Sequence, residues 1–510
     1  MPPGIALLVR EHDGRLAPLE PDRISRTLFS ATEALGRPDA FLARELADHI
    51  AASLAAEFDE PPTLDELQDQ VTKYVRELGH PALALRYQQG TAFHASDDIE
   101  PEPFPRDVVS LARDGLLLLT GDKPLQLAGL VLSAGLDPSR PDLGLSAAIG
   151  QAHRHTGGWL ALDGPEHALA ALDGNVEALT ARCLDALRRS LETSGLRGLV
   201  HLNIPTAPAW ASHPDVGPLF ASFAGRPPAE RIRAVADALL DGLTADGAAD
   251  PRLIPCWHLT PTELNADATP RLLERVTRSF GGPVVEFVID RARQPAALGP
   301  GLSRTSPAAL LFVGIHLARL VEQVTPAEPE RFLAKLVSLA RLARSAGHAK
   351  LDFLRRHGPP EVRDRFLLDR ARLVVVPVGL DEAVRRLVEG PLCDQGKGTA
   401  LGRQVIEELR RSLTSEPPYD LVAVIDGVPF GFGFGPALPA RLDAAGLTPW
   451  DSEAPPRQQL RCAGTLHAVA RAGVAAITFP RSDPPAVEDL VGTLRLAGHY
   501  EVQRLRFVGI

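Results

Sequence analysis

Cysteine is almost missing from these 510 residues. There are four, Cys183, Cys256, Cys393 and Cys462, far apart and with no Cys-x-x-Cys pair. A structural zinc site needs about four converging soft ligands, which no local spacing supplies. The expectation is dispersed, reduced thiols, with no disulfide and no bound metal. Lysine is scarce too, and the net charge of −10 offers no excess of cations to a phosphate backbone, so nucleic acid is not an expected partner. From Met1 to Arg10 there is only a short apolar run before Arg10 and Glu11. That is neither a signal peptide nor a membrane span, and the expected location is the cytoplasm.

What the chain has is material for a large core. Hydrophobic residues make up 45% and charged residues 23%, the profile of a globular protein of two or three domains. Residues 5–20 suggest a hairpin turning at Asp13-Gly14, where glycine tolerates positive φ. Pro21-Asp22 opens a helix with an acid at its positive end, and Ile24, Leu28, Ala31 and Leu35 keep helical spacing. Further helices are expected over 39–57 and 63–78, the second with Thr63 and Glu66 at capping-box spacing, and from Pro81 to about Phe93. Residues 96–106 are acidic and proline-rich and read as a linker. Strands are then expected at Gly198–Ile204, Leu253–Leu259, Val284–Ile289, Leu373–Val378, Leu421–Ile425, Ala475–Phe479 and Glu501–Val508. Helices are expected near 166–192, 229–244, 306–325, 329–347, 380–388 and 399–414. This alternation indicates an α/β domain with largely parallel pairing.

The first 95 residues carry Val9 followed by Asp13-Gly14, then Arg23-Ile24, and finally a closing run of Val71, Val75, Leu78-Gly79-His80, Ala84 and Tyr87. This pattern resembles the ATP-cone, the regulatory nucleotide-binding module of ribonucleotide reductases. The resemblance implies that ATP or dATP binds as an effector in a slot between hairpin and helices, contacting Val9, Arg10, Arg23 and Ile24. The family has Lys-Arg before Asp-Gly, where two cations neutralise a triphosphate. Here Glu11-His12 stand instead. A carboxylate repels phosphate and a histidine is mostly neutral at pH 7. Arg10 and Arg23 are left to compensate, so a binding cone and a silent one both stay open.

Residues 107–510 resemble the body of anaerobic (class III) ribonucleotide reductase, a ten-stranded α/β barrel shared with glycyl-radical enzymes. The resemblance rests on Val376-Pro377-Val378-Gly379-Leu380-Asp381-Glu382-Ala383-Val384 and on Phe312-Val313-Gly314-Ile315-His316-Leu317-Ala318-Arg319, with weaker echoes at Leu199–Pro205, Gly217–Phe220 and Ile477–Pro480. It implies a glycine radical near the C-terminus and a cysteine on the loop before the second segment. That loop, Gly299 to Thr305, contains no cysteine. Ser303 cannot replace one, because its O–H bond is far stronger than S–H. The family's four-cysteine zinc element is missing as well, and Arg506-Phe507-Val508-Gly509-Ile510 reads as the end of a strand. Gly509 and Cys256, in Pro255-Cys256-Trp257-His258, are the residues a surviving radical enzyme would use; the plain reading of Cys256 is core.

Other motifs weigh toward structure. Phe430–Gly435 alternates aromatics with glycine but lacks the following helix of a phosphate loop. Gly390–Thr399 lacks full Walker spacing, and His155–Trp159 reads as a loop before a buried aromatic. The expectation is an ATP-cone (1–95), a linker (96–106) and a barrel (107–510) without the zinc and glycyl-radical element. The expected function is that of a catalytically inactive, purine-nucleotide-responsive protein, either self-associating or acting on a reductase partner. A divergent reductase or other barrel enzyme, and a ligand-free scaffold, are the alternatives.

Overall fold

The computed structural model describes residues 8–509 except 11–14, 20, 59, 91–102, 121–122, 134–148, 151, 153, 195–199, 206–227, 245–251, 267, 278–284, 292–296, 325–328, 366–367, 395, 415–420, 428–446, 450–453 and 481. Glu11, His12, the Asp13-Gly14 turn, most of the linker, Gly217–Phe220, His153 and Phe430–Gly435 therefore lie outside the described residues. The chain divides into two compact units: residues 1–117 with 334–349, and residues 118–333 with 350–510.

In the first unit, β1 (Leu8–Arg10) pairs antiparallel with β2 (Leu16–Pro18), with Val9 opposite Ala17. Helices α1 (Pro21–Ala34), α2 (Ala40–Glu57), α3 (Leu64–Glu77) and α4 (Pro81–Gly90) follow. The capping box is present: Thr63 caps the Glu66 N–H, and Glu66 accepts from the Thr63 N–H at 2.8 Å. Ile24, Leu28 and Ala31 are buried as their spacing requires. Leu35, though in phase with them, is 44% exposed because α1 ends at Ala34. A further helix, α5 (Arg106–Arg113), begins at the last residue of the expected linker.

The second unit is built on one large mixed sheet. Strands β4 (Leu127–Ser133), β5 (Thr156–Asp163), β6 (Val200–Pro205), β7 (Leu253–Leu259) and β8 (Glu286–Ile289) run parallel to their neighbours. β9 (Ala308–His316), β10 (Arg372–Val378) and β11 (Val422–Ile425) form a second parallel set, and β12 (Val474–Phe479) pairs parallel with β13 (Arg504–Gly509). Antiparallel seams join β4 to β9 and β8 to β13, giving a ten-strand path from β11 to β12, while β3 (Leu117–Thr120) pairs with β9 off that path. Asp426, one residue past β11, is bonded to Arg504 of β13 near the other end of the path, so the sheet curls on itself.

Three segments fold differently from the expectation. Residues 306–325 are not a helix: Ala308–His316 is strand β9, buried along all but its last residue, followed by a short helix Leu317–Val321. Its continuous apolar run fits a strand covered on both faces, which periodicity alone does not separate from a buried helix. The helix expected over 166–192 is broken into Pro165–Ala170 and Val176–Ser194 around Gly174, whose φ is +121°. His155–Trp159 is mostly strand: β5 starts at Thr156 and carries Trp159, fully buried.

Candidate functional site

Side chains alternate across a strand, so each barrel strand has one outward and one inward set. Val200, Leu202 and Ile204 of β6, Leu253, Trp257 and Leu259 of β7, and Phe287 and Ile289 of β8 join the outer core with the helices. Ile254, Cys256 and Val288 belong instead to an inner cluster with Trp159, Phe312 and Val376. The alternation sends His201, Asn203, His258 and Glu286 the same way. Leu298 and Leu302 are in that inner cluster too, so residues 297–307 of the loop before β9 enter the interior.

The loop is fixed by polar contacts at several points. Asn203 Nδ2 donates to the Leu298 carbonyl at 3.0 Å, and the Gly301 N–H donates to Asp426 Oδ2 at 2.8 Å. Arg304 grips both oxygens of Asp163, at 2.7 and 2.8 Å. Gly299 has no room for a side chain: a Cβ there would lie 2.8 Å from Trp159 Nε1. Ser303 Oγ is 3.1 Å from Thr305 Oγ1, and no thiol stands on the loop.

Two polar layers face this interior. The first lies toward the C-terminal ends of β5 to β8, where parallel α/β folds usually place their sites. His258 Nδ1 is 3.0 Å from Asp290, and its Nε2 is 3.0 Å from Asn203 Oδ1. Asn203 points Nδ2 at the Leu162 and Leu298 carbonyls, which turns its oxygen toward the histidine. Both imidazole nitrogens therefore face acceptors. Nearby, Glu166 is fully buried, and burial pushes its carboxyl well above the usual range, with Asp163 adding to the rise. Its neighbour His167 lies 3.3 Å away and is held down at about 4, again by burial.

The second layer consists of His201, Cys256, Glu286, Arg504, Arg506 and Asp426, all buried. Arg506 Nε donates to Glu286 Oε2 at 2.6 Å, Arg504 Nη1 lies 3.6 Å from Glu286 Oε1, and Arg504 Nη2 bonds Asp426. Burial opposes ionisation of Glu286, but Arg506 and Arg504 outweigh it and bring the pKa to about 2. Asp426 goes the other way. Burial raises its carboxyl even though Arg504 and the Gly301 and Gly427 N–H groups all favour the anion. Burial lowers His201 to about 3 and pushes the Cys256 thiol well up.

Of the residues singled out from sequence, Val9 and Ile24 are buried and Arg10 is exposed. The Arg10 N–H donates to the Pro62 carbonyl at 2.8 Å, and its charge acts on Glu66. Arg23 is half-buried, and its charge acts on Tyr87, whose hydroxyl burial pushes up. Gly509 ends β13, paired with Phe479. Cys256 is core, as expected, but core of the interior beside His201 and Glu286. The expected dispersal of thiols is wrong for one pair: Cys462 hydrogen-bonds with Cys393, which raises its pKa together with burial. They meet because Leu392–Cys393 leads into helix Lys397–Thr414, which packs on helix Pro456–Ala470. In the same loop, Thr399 Oγ1 is turned back on the Leu392 and Asp394 carbonyls rather than offered to an anion. The polar layers had only a faint signal in sequence, a His, Asn or Cys at every second position of His201-Leu202-Asn203 and Cys256-Trp257-His258.

Residues 7–96 match the ATP cone domain family, so the chain carries that domain. No curated protein sequence matches the chain. The fold is that of anaerobic ribonucleotide reductase. The Thermotoga maritima enzyme with dATP bound in the specificity site aligns at 10% identity over 95% of this chain and 90% of its own, with a TM-score of 0.60. The same enzyme in complex with dATP and CTP gives 11% identity, 96% and 88% coverage, and a TM-score of 0.58. A further anaerobic ribonucleotide reductase structure gives 12%, 96% and 85%, with a TM-score of 0.56.

Proposed function

We propose that this chain is a nucleotide-binding regulatory protein built on the anaerobic ribonucleotide reductase fold, and that its barrel does not carry out glycyl-radical chemistry. The observation that carries this reading is the interior loop. It occupies the barrel with Leu298, Gly299, Gly301, Leu302 and Ser303 and presents no sulfur. Radical transfer needs a weak X–H bond at that point, and nothing on the loop supplies one. The cone, by contrast, keeps its hairpin, its four helices and its capping box. ATP or dATP is the ligand it suits, with Val9, Arg10, Arg23 and Ile24 around the slot. Arg23 is half-buried on α1, the helix that follows the hairpin, and is the cation this reading assigns to the phosphates. A homo-oligomer or a reductase is the partner, and the cytoplasm its place; among the described residues no helix is long and apolar enough to cross a membrane.

The test has two arms. Calorimetry with ATP and dATP should show binding that weakens about tenfold or more on Arg23→Ala, the loss of one charge-assisted phosphate contact. Anaerobic treatment with a radical-SAM activase should give no glycyl doublet in the electron paramagnetic resonance spectrum. No binding at millimolar nucleotide favours the scaffold; a doublet favours a reductase using Gly509 and Cys256. One observation favours a second reading, a barrel enzyme of different chemistry. Asp290, His258 and Asn203 form a connected acid–imidazole–amide row at the strand ends, and the charge of Arg304 acts on both Asp290 and the buried Glu166.

A further inference from the structure

We propose that His201, Cys256 and Glu286 form a binding site for a first-row transition metal, zinc foremost, inside the barrel. Their ligating atoms lie within 4.8 Å of one another, and all three residues are buried. Three adjacent parallel strands place them. Cys256 of β7 and Glu286 of β8 are register partners, while His201 of β6 is partnered with Ile254, one inward position before Cys256. Rigid strands rather than loops hold the set, which favours a fixed coordination geometry.

His201 and Glu286 keep hydrogen-bonding capacity, although Arg504 Nη1 stands 3.6 Å from Glu286 Oε1 as an ion-pair partner. Among the described residues, neither ring nitrogen of His201 nor Glu286 Oε1 has a hydrogen-bond partner, although all are buried. Arg504 Nη1 and Arg506 Nη1 and Nη2 in the same layer also lack hydrogen-bond partners, so the layer as a whole has polar capacity to fill, and the three ligand atoms are the part of it that suits a cation. Glu286 divides its work: Arg506 secures Oε2 and leaves Oε1 as a monodentate ligand, the way outer partners orient metal-binding carboxylates. Among the described residues, the Cys256 thiol has one long hydrogen-bond contact, 3.5 Å from its sulfur to the Ile254 carbonyl. Imidazole, thiolate and carboxylate together suit zinc, and three protein ligands leave a fourth position open.

The two arginines do not forbid a cation. Arg504 and Arg506 are ion-paired with Glu286, and Arg504 with Asp426 as well, so neither guanidinium faces the site without a carboxylate beside it. On metal binding the Cys256 S–H bond breaks, the proton passes to solvent and the sulfur–metal bond forms. The site then gains one net positive charge, which an anionic fourth ligand would cancel. This inference stands apart from the nucleotide reading, since it concerns the barrel and not the cone.

Full-length protein should be expressed with zinc, and separately with cobalt, in the medium, because a buried site fills most readily during folding. The expected result is one zinc per chain by elemental mass spectrometry. The cobalt form should show thiolate-to-cobalt charge-transfer absorption. Cys256→Ser should abolish that absorption and His201→Gln should lower occupancy about tenfold or more, with circular dichroism showing that both variants fold. Cys462→Ser should leave both signals unchanged. Less than about a tenth of an equivalent of metal in folded wild-type protein would overturn the proposal. So would a cobalt signal that survives Cys256→Ser, or one that disappears with Cys462→Ser.

Discussion

Gly301 donates its N–H to the Asp426 carboxylate at 2.8 Å, and this bond ties the interior loop to the end of β11. Only glycine fits. Its φ is +64°, and a Cβ would lie 2.3 Å from Val374 Cγ2. Gly301→Ala adds the left-handed cost of about 1–2 kcal/mol to an overpacking cost of about 1–3 kcal/mol. The expected loss of barrel stability is roughly 2–5 kcal/mol, read from urea unfolding followed by tryptophan fluorescence. An unchanged midpoint would mean that the loop tip does not sit against β10.

His467 sets a pH limit on stability. It is fully buried on helix Pro456–Ala470, and its Nδ1 accepts the Gln503 N–H at 3.2 Å, so that nitrogen must stay unprotonated. Burial brings its pKa down to about 3. The unfolded chain takes up a proton near pH 6.5, whereas the folded chain resists until about pH 3. The folded pKa is depressed, so the stabilising difference is complete above pH 6.5 and is lost as pH falls toward 3. The slope is about 1.4 kcal/mol per pH unit for one proton. His467→Asn, whose Oδ1 can accept the same N–H, should remove one proton from the slope of unfolding free energy between pH 6 and 4. A slope identical to wild type would show that His467 titrates normally.

Most of the scaffold was legible because periodicity and caps are local signals. Thr63 and Glu66 gave the start of α3 to within a residue, and all seven strands expected after residue 197 are present. Strands β3, β4, β5 and β9 were missed, since Leu117–Thr120, Leu127–Ser133, Thr156–Asp163 and Ala308–His316 are apolar or glycine-bearing runs without alternation. The site was far less legible. Asn203, His258 and Asp290 are separated by 55 and 32 residues, and only the sheet register brings them together. The Cys393–Cys462 contact is likewise a product of helix packing across 69 positions (462 − 393), which no spacing rule reaches. The absent loop cysteine could be read directly, because an absence needs no fold.

Cys393 and Cys462 should be unreactive in the native protein. Both are buried, and Cys462 has its thiol pKa raised by its bond to Cys393 and by burial. The thiolate is the nucleophile, so alkylation at pH 8 should be at least about a hundredfold slower than in urea. Linkage gives a second consequence. The unfolded thiol loses its proton near pH 8.5 while the folded one keeps it, so this contribution to stability is present below pH 8.5 and declines at higher pH. Cys462→Ser should flatten the alkaline loss. Rapid native labelling of Cys462, measured by mass spectrometry of peptides, would show that the helix pair opens readily.

In the cone, Arg44 holds α1 and α2 together. It is 1% exposed, bonds Asp22 of α1 and lies 3.1 Å from Asp48 of its own helix. Burial alone would raise the Asp22 carboxyl, but Arg44, with Ser345 and Arg26, brings it below the ordinary value. That contribution is present above the unfolded pKa of about 3.9 and is lost in stronger acid. Arg44→Ala strands Asp22 at a largely buried position and should cost the cone roughly 3–5 kcal/mol. Arg44→Lys keeps the charge but cannot span two carboxylates with a planar fork, and should fall between wild type and alanine. Hydrogen exchange separates the units: amides of α1 and α2 should lose protection in Arg44→Ala while those of β7 and β10 keep theirs. Equal loss in both units would mean that the cone and the barrel unfold together, and unchanged exchange in α1 would show that the Arg44 pair adds nothing to cone stability.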